Sequence, residues 1–320
     1  MFEPEKYTLV SEGSSKNKYR DDDQSLIFHF LKRWSAFDVG PHPDEIPGKG
    51  VAICSCAVKS ALVAQKLGVP TCFIERIADD AIRVHEAQVI VNRNPTLKDE
   101  NYVLPAELID RYRSAGSFDR DFRSGAKKPE DYGLPAGIIP AVGTPFPFPV
   151  EFITTKFEPT DRPISAEEAC LISGIHKKDL EAFWRMIHRL KGALHYIAWL
   201  GGYYILDGKC EGIVGPGRRL MLGDVVLTPD EDRPVPANLL DQGVIEHYSK
   251  EFQRERLIKI GYYDAVKAAR KEGLPDPPYP TLPDDFIAEA ARRYNAFAAA
   301  YAGECMPRNF EGNDVYLQTR

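Results

Sequence analysis

The chain has 320 residues, 43% hydrophobic and 28% charged, with a formal charge of −6, which allows a substantial core and enough length for two lobes. No apolar run reaches the roughly 18 residues that span a bilayer, and the start MFEPEKYTLVSEG lacks the basic-then-apolar pattern of an export signal, so a cytoplasmic protein with no membrane partner is expected. The acidic balance argues against a nucleic-acid surface but leaves room for a local cationic cluster that holds a small anion.

Along the first hundred residues, KYTLVSEGSSKNKYR reads as strand, Gly turn, strand, and DQSLIFHFLKRWSAFDV continues in short extended pieces. Residues 51–67 form a helix that stops at Gly68, and PTCFIERI follows as a short strand. Cys54 and Cys56 fall in that helix on different faces. With Cys72, Cys170, Cys210 and Cys305 they make six cysteines and no Cys-x-x-Cys pair, so reduced, mostly buried thiols are expected rather than a zinc site. The polar stretch VNRNPTLKDENY precedes a lobe boundary near residue 104. The division is therefore an N-terminal lobe, 1–104, and a C-terminal lobe, 105–320.

The second lobe opens on the strand ELIDRY. A Pro/Gly-rich tract from Lys127 to Pro149 reads as a long surface loop. ISAEEACLISG has a Ser cap with an acid three residues on, which starts a helix. Residues 177–200 repeat apolar side chains at helical spacing (Leu180, Phe183, Trp184, Ile187, Leu190, Leu194, Ile197), so one face packs on a core. His188 and His195 lie on this helix, where packing or exposure accounts for them without metal. YYILDGKCE and RRLMLGDVVLTP flank VGPG as a hairpin, and helices are expected at about 244–258, 262–272 and 284–302.

The chemistry concentrates in that hairpin. On a strand, Asp207, Lys209 and Glu211 stand on one face, and with the turn centred near Gly215–Gly217, Asp224 lies opposite them to within a residue or two. Carboxylates at that distance repel unless a cation neutralises them, and hard oxygen ligands suit Mg²⁺ carrying nucleotide phosphates. Lys209 would hold a phosphate as a point charge. LTPDEDR adds Asp230 and Arg233 just beyond. A solvated surface hairpin would show the same alternation. SEGSSKNKY, with Gly13 and Lys16, can place backbone N–H groups and an ammonium over phosphates, although it lacks the Walker pattern; RYRSAGS, with Arg111 and Ser117, can grip an anion. Each also reads as a plain surface turn.

Together and in this order, the segments resemble the SAICAR synthetase family. SEGSSKNKY is similar to its Gly-Lys-x-Lys-x-x-Tyr loop, RWSAFDV to Ser-Ala-Phe-Asp, and GVPTCFIERI to Ile-Pro-Thr-x-Phe-Ile-Glu-Arg. VLPAELIDRYRSAGS resembles Pro-x-Glu-Val-Val-Val-Arg-Asn…Ala-Gly-Ser, and TTKFEPTDRPIS resembles Thr-Lys-Ala-Glu…Asp-Glu-Asn-Ile-Ser. LDGKCEG with LGDVVLTPDEDR resembles Asp-Thr-Lys-Phe-Glu-Phe-Gly with Ala-Asp-Glu-Val-Leu-Thr-Pro-Asp-Ser-Ser-Arg, and YSKEFQRERL resembles Tyr-Asp-Lys-Gln-Phe-Val-Arg.

The resemblance implies an α+β, two-lobed fold whose N-terminal antiparallel lobe is similar to a protein kinase's, with ATP between the lobes. It implies a ligase in which ATP phosphorylates the carboxylate of an imidazole ribotide and the amine of aspartate displaces phosphate. Glu211 and Asp224 would then hold Mg²⁺, and Lys209, Lys16 and the Gly13 loop would meet ATP. Asp207 and Asp230 would meet the imidazole; Arg111, Ser117 and Arg233 would hold the ribotide phosphate. Lys156 and Asp161 would meet the amino acid, with Lys250 and Arg254 as further anion contacts.

The chain departs from the family pattern at Ser14, Gly208, Cys210, Val225 and Ser249. These departures keep two other readings open: a paralogous amide ligase with another carboxylate or amine, and a nucleotide-binding protein without catalysis.

Overall fold

The structure, a computed structural model, describes residues 2–22, 25–158 and 161–305, and their side chains except those of Asp22 and Ser117. The first sheet is built from β1 (Thr8–Glu12), β2 (Lys16–Asp22), β3 (Ser25–Phe30), β4 (Phe73–Ala78) and β5 (Ala81–His85), all antiparallel in the order β1-β2-β3-β5-β4, with the apolar run of β3 buried and the edge strand β1 exposed. Between β3 and β4 runs α1 (Lys49–Lys66). It is buried almost all round through Ala52, Ile53, Cys54, Ser55, Cys56 and Ala57, because it packs on β3, β4 and β5 and also against helices of the second half. Both cysteines are therefore buried although they lie on different faces.

The second half contributes β6 (Tyr102–Arg113), α2 (Ser117–Ser124), β7 (Pro145–Thr155), β8 (Pro163–Ile164), α3 (Ala166–Ser173) and α4 (Lys177–Leu200). Then come β9 (Tyr203–Ile205), β10 (Asp207–Val214), β11 (Leu220–Gly223), β12 (Pro234–Pro236), α5 (Ala237–Leu240), α6 (Glu251–Lys259), α7 (Tyr262–Lys271) and α8 (Asp284–Ala302). The second sheet is antiparallel in the order β11-β10-β6-β7-β8, and β9 pairs with β12 apart from it. Ser165 caps α3 by accepting the Glu168 N–H at 3.1 Å. Leu180, Phe183, Ile187, Leu190 and Leu194 form the buried stripe of α4, which covers one face of the second sheet and leaves the other for the site. One continuous hydrophobic cluster runs from Leu26 on β3 to Ala302 on α8, so both sheets share a core. Backbone bonds also join them: Cys72 N–H donates to Leu222 O at 2.7 Å, and Leu222 N–H to Pro70 O at 2.9 Å.

The α+β class is as expected, but several segments differ. The tract 127–149 is not all loop: Pro145 to Pro149 begin β7, held because Phe146 packs into a small core with Phe118, Phe122 and Leu134. The strand read as ELIDRY extends from Tyr102 to Arg113, and the turn after it leads into α2. The hairpin's first strand breaks at Leu206, because β9 pairs with β12 instead of continuing. The helix expected from 244 begins only at Glu251. Among the described residues no helix is long and apolar enough to cross a membrane.

Candidate functional site

Strand register brings the charged side chains together. On β10, Asp207 pairs with Arg111, Lys209 with Ile109, and Glu211 with Glu107 of β6. Period-2 alternation therefore puts Asp207, Lys209, Glu211, Glu107 and Arg111 on one face. Glu211 also stands opposite Gly223 of β11, so Asp224 follows one residue past that pair. Its backbone is left-handed there (φ 53°), a conformation Asp tolerates better than most residues, and this ends the strand.

Lys209 Nζ lies 3.1 Å from Glu107 Oε1, 3.3 Å from Glu211 Oε1 and 3.2 Å from Glu231 Oε2. Burial works against its charge, but Glu231, Glu211 and Glu107 outweigh burial and hold the ammonium well above its ordinary range. Burial likewise opposes the charge on Glu231, and Lys209, Lys250 and Lys16 overcome it, holding that carboxyl low. Lys156 Nζ reaches the same carboxylates, 2.6 Å from Glu211 Oε1 and 3.0 Å from Glu107 Oε1. Lys16 donates to the Asp224 carboxylate. Here the lysines supply the positive charge that Glu211 and Asp224 require.

At the other end, Arg233 makes a forked contact with both Asp207 oxygens, and Arg111 donates to Asp207 Oδ2 at 2.7 Å. Burial raises the Asp207 carboxyl, but the two guanidinium groups prevail and keep it ionised. Arg111 lies 5.1 Å from the Phe118 ring centroid and 5.6 Å from that of Phe152, and Arg233 rests against Gly116, just before α2. Ser117 opens α2; its side chain lies outside the described residues.

On the first-sheet side, Lys16 and Lys18 lie 5.1 and 5.5 Å from the Phe28 ring centroid. Burial, and then the Lys16 charge, push the Lys18 ammonium down. A cavity of about 150 Å³ opens here, lined by Leu26, Phe28, Ala87, Val103, Ile213 and Asp224 among others. It has apolar walls from both sheets and charged residues at one end. Gly13 shapes the nearby loop, since a Cβ there would come within 2.6 Å of Lys16 O, and Arg33 donates to Gly13 O at 3.0 Å.

Not every expected residue joins the cluster. Asp230 is buried with both oxygens engaged: Lys49 Nζ is 2.7 Å from Oδ2 and Tyr294 OH donates to Oδ1 at 2.7 Å. Asp230 is thus tied to α1 and α8 and makes no ion pair with Lys209 among the described residues. Asp161 is exposed and makes no hydrogen bond or ion pair with the other site residues among those described. Lys250 begins the turn into α6, where its N–H donates to Pro229 O at 3.0 Å, and its charge reaches Glu231. Arg254 lies 3.4 Å from Glu251, and Glu251 in turn lies 3.9 Å from Arg233.

Sequence reasoning passed over Glu107, Glu231, Glu251 and Lys49. Glu107 was within reach of it, because alternation from Arg111 on the same strand leads to position 107. Glu231 sits inside LTPDEDR, but only the tertiary path shows that it, and not Asp230, faces Lys209. Asp110, Glu151 and His188 form a further group close enough to share an ion. Lys191 already pairs with Asp110, and Trp184 donates to Glu151.

The SAICAR synthetase family model matches residues 9–269. A phosphoribosylaminoimidazole-succinocarboxamide synthase of Thermoplasma volcanium is 32% identical over 296 residues, covering 92% of this chain and 99% of that protein. In fold, the chain is similar to the Saccharomyces cerevisiae SAICAR synthase complexed with SAICAR (TM-score 0.65, 21% identity, 93% of this chain and 95% of that one). It is also similar to a SAICAR synthetase in complex with ADP (TM-score 0.60, 21% identity, 84% of this chain and 99% of that one).

Proposed function

Because the chain belongs to the SAICAR synthetase family, we propose that it is an ATP- and Mg²⁺-dependent ligase of purine biosynthesis that joins aspartate to the carboxylate of carboxyaminoimidazole ribotide. One observation carries the reading: a single face of β10 holds Lys209 among Glu107, Glu211 and Glu231 at one end and Asp207 between two arginines at the other. The first end suits nucleotide phosphates with their metal, and the second an anionic ribotide.

Glu211 and Asp224, hard oxygen donors to which lysines are already drawn, fit Mg²⁺ carrying phosphates. When bound it would offset charge on the transferring phosphoryl group. Lys209 and Lys16 hold phosphate oxygens as point charges, and Arg111 and Arg233, with Ser117, hold the ribotide phosphate. Asp207 fixes both guanidinium groups and offers an acceptor to the imidazole. Lys156 and Asp161 meet the amino acid, with Lys250 and Arg254 as outer anion contacts. The cavity walled by Leu26, Phe28 and Val103 suits adenine. In this division of labour residues 1–104 serve mainly the nucleotide, and 105–320 the metal and substrates.

The ribotide carboxylate attacks the γ-phosphorus and ADP leaves; the aspartate amine then attacks the acyl phosphate, expelling phosphate and releasing a proton. A carboxylate is a poor acyl donor, so this divides one hard step into two, and the protein's share is positioning and electrostatics. We place the enzyme in the cytoplasm, in keeping with its metabolic family and six free thiols. The test is incubation with ATP, Mg²⁺, aspartate and the ribotide, followed by mass spectrometry for ADP and the succinocarboxamide. ADP release with a different amine or carboxylate, and none with this pair, would instead assign a paralogous ligase.

A further inference from the structure

The two faces of β10 carry different chemistry. Asp207, Lys209 and Glu211 face the site, while Gly208 and Cys210 face α4. A Cβ at Gly208 would overlap Asp232 Oδ1 and lie 2.6 Å from its Cγ, so the Asp232 side chain occupies the room that this glycine leaves. We propose that Asp232, seated in the gap at Gly208 beneath the sheet, is a positioning residue that holds its neighbours Glu231 and Arg233 in the site.

The backbone supports this. Arg233 N–H donates to Asp207 O at 3.0 Å, Leu206 N–H to Arg233 O at 3.0 Å, and Asp232 N–H to Thr228 O at 2.9 Å. Residues 231–233 thus lie along the start of β10. Glu231 reaches Lys209 and Arg233 reaches Asp207, while Asp232 between them points to the opposite side. Asp232 is only 2% exposed, and neither oxygen has a hydrogen-bond partner among the described residues. A buried carboxylate left so is costly and is better replaced by an apolar residue unless its charge serves a purpose.

The groups around it come from every neighbouring element. Lys191, which pairs with Asp110, and His195 come from α4; Asp110 and Tyr112 from β6; Asp207 and Cys210 from β10. Cys56 comes from α1, Tyr301 from α8 and Glu231 from its own segment. Lys191 is the cation among them. Burial pushes the Asp232 carboxyl up to about 7, against the pull of Lys191. Because the folded value lies above the unfolded one, the protonated form favours the fold: that stability is full below about 4 and is lost as pH rises through about 7. On this proposal the ionised form, under the field of the Lys191 charge, is the one that positions the segment, and it does so at a cost in stability.

The inference rests on the proposed ligase reading for its kinetic arm only. The experiment compares the wild-type protein with Asp232→Asn from pH 6 to 9 by hydrogen exchange over 228–234, thermal unfolding, and steady-state kinetics. At pH 8 the variant is expected to unfold at a higher temperature, yet to exchange the 232 and 233 amides faster. KM for the ribotide should rise about tenfold, the loss of one charged contact, with kcat within about twofold. Wild-type KM rises as pH falls through about 7, and the variant's does not. Gly208→Ala, whose methyl meets Asp232, should raise KM in the same direction. Unchanged exchange at 232 and 233, or an Asp232→Asn variant that loses stability at pH 8 with KM unaltered, overturns the proposal. Absence of ribotide turnover in the wild type overturns the ligase reading, and hydrogen exchange then decides the positioning role alone.

Discussion

Lys16 on β2 donates a hydrogen bond to the carboxylate of Asp224 at the end of β11, joining the first sheet to the second across the cavity proposed for the nucleotide. Burial alone would discharge Lys16, yet the Asp224, Glu211 and Glu231 charges outweigh it and raise the ammonium. The contact fills the place proposed for metal and phosphate, so ligand binding must redistribute it. Asp224→Asn should raise the Mg²⁺ concentration for half-maximal rate by about tenfold or more, as the loss of one charged contact implies, with KM for aspartate little changed. A Mg²⁺ titration at saturating ATP measures this, and an unaltered midpoint would remove Asp224 from the metal site.

Lys209 is the cation shared by Glu107, Glu211 and Glu231. Lys209→Ala should lower kcat by about 100-fold or more, the scale seen when one preorganised charge is removed from a transition state. Lys209→Arg should recover little, since a planar fork does not replace a point charge among three carboxylates. Single-turnover ADP release reads the effect, and calorimetry with ADP shows whether the nucleotide still binds.

The buried Lys49–Asp230 pair, closed by Tyr294, acts on stability. Lys49→Met leaves Asp230 uncompensated and should cost about 3–5 kcal/mol; Tyr294→Phe, which deletes one hydrogen bond, should cost about 1 kcal/mol. Urea unfolding gives both values. A rise in KM for the ribotide on Tyr294→Phe, beside the shift of the urea midpoint, would show that Asp230 also serves the substrate, and an unmoved midpoint would remove the bond from the stability of the fold.

His195 is half-buried on α4 with its Nε2 shielded from solvent, and desolvation, then the Lys191 charge, push its imidazole down to about 3. Below about 6.5 the unfolded chain takes up a proton that the native state refuses. Stability is therefore full above that pH and falls as pH drops toward 3, by at most about 1.4 kcal/mol per pH unit. The urea midpoint should decline between pH 6.5 and 4.5, and His195→Gln should flatten that slope. An equal slope in the variant would assign the acid sensitivity to other groups.

Much of the site was legible in one dimension because its chemistry follows strand periodicity. Alternation at 207, 209 and 211 defines a face whatever lies around it, and a short turn at 215–217 sets the partner strand's register to within a residue or two. Helix α4 was equally legible, since apolar residues at helical spacing must bury one stripe; Leu180, Phe183, Ile187, Leu190 and Leu194 form it, while Trp184 and Ile197 flank it only partly buried. Local rules did not reach the strand Pro145–Thr155, where prolines suggested a loop and a distant aromatic cluster overrode them.

The sequence by itself determined that acids and a lysine share one face of a strand, because side-chain direction there is a property of the local backbone. Tertiary structure alone decided which neighbour meets them. In the run Asp230, Glu231, Asp232, Arg233, one residue goes to Lys49 under the core, one to Lys209, one into the gap at Gly208 and one to Asp207. Four adjacent charges receive four different partners, since ion pairing depends on distance through space between segments far apart in the chain. The departures at Gly208 and Cys210 gain their meaning in the same way: they lie behind the site, where the missing side chain at 208 admits the carboxylate of 232.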